Sequence, residues 1–363
     1  MNPSLRRIPA AAVAAGLCLL LAGLLVAAPA LAHEPEFTDL LDEERCTFVT
    51  YADNPWHPLW PGYSLLLEGD EEDDGETVTI TVQVTVLADT ERVDGVLTRV
   101  LEEREWEDGE LVEVSRNFVA ACRETGDLWY FGEDVDDYED GEVVGHDGAW
   151  RAGEDGALAG ILMPGNPLNG ARYFQEQAPD ADALDQAEVV SRDGVMTVPA
   201  GTFARVLHVV DTTPLEPGVA DDKYYAYGWG LIKDAEAELV AVTLPDCLPG
   251  DTTLCLQNGR FEVTANWEDP EGHVGPAFAN QISGDSGELW FFQPNNVELL
   301  VKVLDGCQVP GLESYWVFAA GLTNVGVEIT VTDTETDLTW TYDNPVGDTF
   351  DPVLDTGAFH TCP

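Results

Sequence analysis

The ten residues Thr77-Val78-Thr79-Ile80-Thr81-Val82-Gln83-Val84-Thr85-Val86 alternate a hydroxyl or amide side chain with an aliphatic one. In an extended chain successive side chains point to opposite faces, so a period of two makes one face apolar and the other wet. Wound into a helix, the same aliphatics would scatter around the whole circumference. Nine of the ten are also β-branched, the class that loses rotamer freedom in a helix. The run therefore predicts a half-buried strand and a sheet to hold it.

Much of the chain reads the same way. Residues 104–114 are interrupted by Asp108-Gly109, a pair that tolerates positive φ and suits a tight hairpin. Asp193-Gly194 is expected to play that part between 187–192 and 195–198, and further strands are expected at 117–122, 128–131, 204–211, 223–227 and 230–233. Together they predict an antiparallel meander. The best helix candidate, 180–186, is too short and acidic to organise a layer, and the Pro/Gly-rich residues 163–170 predict a structured loop. Leu244-Pro245-Asp246-Cys247-Leu248-Pro249-Gly250-Asp251 has the composition of a linker. It divides a domain over 33–245 from one over 246–363, whose strands at 260–267, 289–293, 297–304, 315–320, 325–333 and 338–343 suit two packed antiparallel sheets.

The first 32 residues predict a signal peptide. Arg6 and Arg7 precede an apolar stretch over 10–26, and Ala30-Leu31-Ala32 makes a small-residue cleavage site. Cleavage there removes the segment able to span a bilayer, so a secreted, extracellular or periplasmic protein that does not span the membrane is expected. The formal charge of −52 becomes −54 when Arg6 and Arg7 leave. A field of that sign repels nucleic acid and anionic lipid and so disfavours both as partners, no nucleic acid being expected, and with lysine only at 223, 233 and 302 it fits a saline habitat.

Six cysteines remain after cleavage: Cys46, Cys122, Cys247, Cys255, Cys307 and Cys362. An even number in an exported chain, with no zinc-like spacing, predicts disulfides. Cys46 and Cys122 lie alone ahead of the boundary and so pair. The other four allow three connectivities, of which Cys255–Cys307 with Cys247–Cys362 is favoured.

Two resemblances add to this. The segments Leu254-Cys255-Leu256, Gly259-Arg260-Phe261-Glu262-Val263, Trp267, Asp285-Ser286-Gly287-Glu288-Leu289-Trp290-Phe291-Phe292, 296–307, Tyr315-Trp316-Val317-Phe318 and Asn344-Pro345 resemble a module found in many secreted bacterial proteins, alone, in tandem or appended to enzymes. That resemblance implies an immunoglobulin-like β-sandwich of no assigned activity. The segments 54–62, Val198-Pro199-Ala200-Gly201-Thr202-Phe203 and 223–233 are similar to exported β-rich bacterial domains, and more distantly to the curved half-barrels of periplasmic lipoprotein carriers. This second likeness implies a curved antiparallel sheet whose concave face is a natural apolar pocket. Fold, however, does not confer function.

The motifs that suggest chemistry do not hold up. Gly284-Asp285-Ser286-Gly287 matches the nucleophile loop of chymotrypsin-like proteases, but no histidine lies in the context such a site requires, so a turn into a strand is expected. Asp355-Thr356-Gly357 matches half of an aspartic protease site and has no second copy. The acidic runs 68–76 and 133–142 offer oxygen ligands to Ca2+, yet Tyr138 interrupts the EF-hand spacing, which favours solvated hairpin tips. With 68 acids, a glycosidase-like carboxylate pair carries no information. The sequence thus predicts an all-β, non-enzymatic binding or surface protein, partnered by an apolar small molecule or a cell-surface component. Trp56, His57, Trp60, Tyr224, Tyr225 and Trp229 are its candidate ligand contacts. A hydrolase acting on polysaccharide or lipid and a purely structural component are the alternatives.

Overall fold

The alternating run lies inside the strand Glu76–Val93, which pairs with Ser64–Asp73 on one side and Val96–Glu107 on the other. A computed structural model describes residues 36–38, 41, 43–51, 54–73 and 76–363; the expected signal segment lies outside them. From the central strand the antiparallel ladder runs one way through Glu110–Cys122, Leu128–Glu139 and Leu158–Met163. It runs the other way through Ala237–Thr243, Gly230–Asp234, Asp221–Ala226, Gly201–Thr212 and Gln186–Val198.

One short segment then joins the two ends. Arg172–Phe174 pairs with Gln186–Val198, while Glu176–Gln177, one residue further on, pairs with Leu158–Met163. The sheet is thereby nearly closed, and the edges that would template aggregation are largely consumed. Glycine permits the final approach: a Cβ on Gly160 would stand 2.1 Å from the Gln175 carbonyl oxygen. The 108–109 hairpin forms as expected, with φ of 49° at Asp108 and 85° at Gly109.

Two local expectations are corrected. Asp193-Gly194 is not a turn, because Gln186–Val198 runs straight through it with bulged registers either side of Gly194, and the chain reverses at Pro199-Ala200 instead. The hairpin with the next strand, Gly201–Thr212, closed at Pro199-Ala200, outweighs the turn signal of Asp193-Gly194. The helical reading of 180–186 reduces to a single 3-10 turn, Pro179–Ala181, because Gln186 is recruited into the ladder.

Beyond Thr243 two further antiparallel sheets enclose a separate core. One holds Leu254–Leu256, Phe261–Glu268, Gly326–Asp333 and Leu338–Asn344, with Val274–Pro276 beside it. The other holds Phe278–Ser283, Ser286–Trp290, Leu299–Asp305, Tyr315–Gly321 and Val353–Phe359. Alternate residues such as Phe261, Val263, Val301, Val303, Ile329 and Val331 point inward and are almost wholly buried. Each contributes roughly 1.5–3 kcal/mol by leaving water.

Cys46 bonds Cys122, as domain segregation implied. The other pairing is corrected: the bonds are Cys247–Cys255 and Cys307–Cys362. Cys255 sits on a strand that begins just past the linker, within reach of Cys247. Val353–Phe359 pairs with Tyr315–Gly321, which brings Cys362 back beside Cys307. Three disulfides fit an exported protein. Among the described residues no helix is long and apolar enough to cross a membrane.

Candidate functional site

Strand parity builds the site. Along Val96–Glu107 and Glu110–Cys122 the residues Leu101, Glu103, Glu113, Ser115 and Asn117 share the inward face, with Glu103 opposite Ser115 and Asn117 opposite Glu133. The outward face of the same strands carries Glu102, Arg104 and Arg116. There Arg116 reaches Glu102 at 3.5 Å and Asp136 at 3.0 Å, and Arg104 reaches Glu102 at 2.7 Å. Outside, acids are matched by arginines; inside, no arginine lines the wall.

The opposite wall brings Asp211, Lys223, Tyr225 and Asp234, and the closing segment brings Gln175 and Glu176 with Asp185 beside them. Between the walls lies a cavity of about 300 Å3. Seven carboxylates line it: Glu103, Glu113, Glu133, Glu176, Asp185, Asp211 and Asp234. Lys223 is the single lining cation, its ammonium 3.4 Å from Asp211 Oδ2 and 3.3 Å from Asp234 Oδ2.

The electrostatics follow from burial with too few counterions. Glu103 and Glu133 are pushed up to about 7 and Glu176 to about 8, each chiefly by burial and further by neighbouring acids. Burial likewise raises Asp211 to about 6, against the pull of Lys223, and raises Glu113 and Asp185. Burial alone would lower Lys223, but Asp234 and Asp211 outweigh it and hold the ammonium charged. His57 is lowered to about 4 by burial and is neutral. Two lining residues also carry a sealed polar atom without a hydrogen-bond partner: Asp211 at Oδ1, on a residue only 9% exposed, and His57 at Nδ1.

Of the six residues singled out in the sequence, the structure brings two to this cavity, His57 and Tyr225. Trp56 is buried edge-on to Tyr227, and Trp60 packs edge-on to Tyr63. Tyr224 takes the opposite parity to Tyr225 and stacks on His208 at 4.5 Å, while Trp229 is 41% exposed against Phe203. Apart from Glu133, which belongs to the second acidic run, the carboxylates and Lys223 escaped sequence reasoning. Their signal was present in Val96–Glu107, where acids occupy both parities, as a strand with one apolar face would not allow.

The remaining motifs take structural places. Gly284-Asp285 turns the chain between Phe278–Ser283 and Ser286–Trp290, and the Ser286 hydroxyl lies 2.5 Å from that of Ser283. Asp355 accepts hydrogen bonds from Trp340 Nε1 at 3.0 Å and from the Gly357 N–H at 2.8 Å. Asp140 and Gly141, both at positive φ, form the tip of the second acidic run, from which Glu133 faces the lumen and Asp134 pairs with Arg151 at 2.6 Å. Among the described residues no group of three or more His, Cys, Asp or Glu is placed to hold a metal ion.

No family model and no curated protein matches the chain. Among solved structures, one described as a "putative lipoprotein" from Parabacteroides distasonis is similar to it at 12% identity and a TM-score of 0.24, covering 55% of this chain and 99% of that one. A likeness that weak carries no argument about function.

Proposed function

We propose that this is an exported, non-enzymatic binding protein that holds a small polar ligand in the lumen of its nearly closed sheet. The observation that carries the reading is the cavity of about 300 Å3 lined by seven carboxylates and a single ammonium. Carboxylates held away from bulk water with too few counterions are costly, and a guest that donates hydrogen bonds to them would relieve that cost. The apolar guest expected from the sequence would instead strand the lining carboxylates away from water. The two sheets after the linker, in this reading an immunoglobulin-like sandwich, serve as the attached module.

The test is native mass spectrometry of the mature protein together with thermal melting against a panel of small polar molecules. A one-to-one adduct or a saturable rise in Tm is expected. Bare mass and an unmoved Tm across the panel overturn the proposal.

A hydrolase remains the second reading, favoured by Glu176, which at about 8 would be protonated at neutral pH and able to act as a general acid. It requires turnover of a glycoside or ester substrate that Glu176→Gln abolishes.

A further inference from the structure

The lumen already shows how it treats one cation. Lys223 places its ammonium between Asp211 Oδ2 and Asp234 Oδ2, and no other lining carboxylate forms a salt bridge among the described residues. Glu103, Glu113, Glu133, Glu176 and Asp185 thus have no counterion in contact, Lys223 acting on Glu103, Glu176 and Asp185 only through space, around a volume that could seat one. A bare metal ion does not fit that space, since the acids are spread over a wall and do not converge on a point. The volume is instead that of a small organic molecule. The phenol ring of Tyr225 and the neutral imidazole of His57 complete the wall with groups that accept an ammonium or pack on a methylene chain.

A neighbouring cleft carries the same sign. Glu133 lines both the lumen and a wider outer cleft of about 1060 Å3, whose wall includes Asp147, Asp155, Asp180 and Asp182. The cleft's guanidinium, Arg151, is engaged by Asp134 at 2.6 Å and Glu91 at 3.6 Å. Such a cleft concentrates cations at its mouth.

We propose that the lumen binds a small organic cation with two or more ammonium groups, of the linear polyamine class, seated against Glu103, Glu133 and Glu176. The inference rests on the lumenal binding reading and names its ligand. A bound ammonium stabilises the ionised carboxylates, so uptake expels protons from the glutamates that the empty lumen keeps partly protonated. Affinity therefore rises between about pH 6 and pH 8, the range in which Asp211, Glu103, Glu133 and Glu176 titrate while Lys223 stays charged and His57 neutral.

Calorimetry with spermidine and putrescine in 0.3 M NaCl tests this, the salt screening the acidic exterior. One saturable site is expected for the parent, at least tenfold tighter at pH 8 than at pH 5.5. The Glu103→Gln, Glu176→Gln double variant should bind at least tenfold more weakly at pH 8, while Glu139→Gln, Glu142→Gln on the exposed hairpin tip should bind like the parent. Since the double variant removes buried charge, its Tm at pH 8 should equal or exceed the parent's, which shows that it folds. Equal binding by both double variants, or no saturable site, overturns the inference. If polyamines fail while a neutral or anionic molecule of the panel raises Tm, the lumenal reading stands without its cation; if nothing binds, both fall.

Discussion

The two halves of the described chain bury carboxylates in opposite ways. Asp333, between the two later sheets, is fully buried and fully partnered: Arg260 donates to both its oxygens, at 3.0 and 2.9 Å, and the Thr361 hydroxyl adds a third bond at 2.6 Å. Its pKa is lowered, because these hydrogen bonds and the guanidinium outweigh burial. In the lumen of the first sheet, Glu103, Glu133, Glu176 and Asp211 are raised, because burial meets one ammonium and many acids. A satisfied buried acid acts as a structural pin, whereas an unsatisfied one in an open cavity is a place for something else to bind. The second core is filled by aliphatics and phenylalanines. The first keeps a space inside its ladder.

The largest expected effect separates the halves by loop length. Cys46–Cys122 closes a sequence separation of 76 and Cys247–Cys255 one of 8. Chain-entropy arguments give about 4.5 kcal/mol for the first and about 2.5 kcal/mol for the second. Guanidinium denaturation of Cys46→Ser, Cys122→Ser against Cys247→Ser, Cys255→Ser measures both. An equal loss from the two would show that local packing governs their worth.

Next is the pin itself. Arg260→Ala leaves Asp333 charged and buried, at a cost of roughly 3–5 kcal/mol. Adding Asp333→Ala should recover much of that loss, since the penalty lies in the orphaned charge. A double variant no more stable than Arg260→Ala, compared by denaturation, would mean that the ion pair was not the source.

The third prediction uses pH to set the halves against each other. A raised acid binds more protons folded than unfolded, so its contribution is fully present below its unfolded value and is lost as pH rises through its folded one. For Glu103, Glu133 and Glu176 that loss runs from about pH 4.3, the ordinary glutamate value, up to about 7 or 8. The first sheet should therefore melt progressively lower between pH 5 and pH 8, and Glu103→Gln should flatten the slope. Asp333 behaves in the reverse sense. Its contribution is present above the ordinary aspartate value of about 3.9 and is lost as pH falls through its lowered folded value. Calorimetric scans that resolve two transitions should show the first falling between pH 5 and pH 8 while the second holds level there and falls only below about pH 3.9; a second transition that fell with the first between pH 5 and pH 8 would refute the contrast.

How much of this was legible follows from what each feature depends on. The strands are local: Thr77 to Val86 announces itself by parity, and Asp108-Gly109 by its tolerance of positive φ. Asp193-Gly194 has equal local strength, but the hairpin turned at the neighbouring Pro199-Ala200 pairs the strand with residues 201–206 and carries it straight through. The late disulfides depended in the same way on which strands lie side by side. The lumen was harder still. Aromatic residues attracted attention as binding groups, yet Trp56 and Trp60 pack against tyrosines, while the residues that line the cavity are ordinary glutamates in a chain full of them. Only the ladder sorts Glu103 inward from Glu102 outward, and only closure by Arg172–Phe174 and Glu176–Gln177 gives that distinction a cavity to matter in.

The smallest expected effect falls on the residue that most resembles chemistry. Ser286 opens the strand Ser286–Trp290, and its hydroxyl contacts Ser283, which also donates to Asp285 at 2.5 Å. Asp285 is held as well by Lys302 at 3.1 Å, so the turn keeps its charged contact without Ser286. Ser286→Ala removes one half-exposed hydroxyl and leaves Ser283 its bond to Asp285. A change within about 0.5 kcal/mol is expected, as for surface substitutions generally. Glu176→Gln should raise Tm at pH 8 through relief of buried charge, whereas Ser286→Ala should not move it beyond error. If instead Ser286→Ala abolished an activity that Glu176→Gln left untouched, the functional centre would belong to the later sheets and the contrast between the halves would invert.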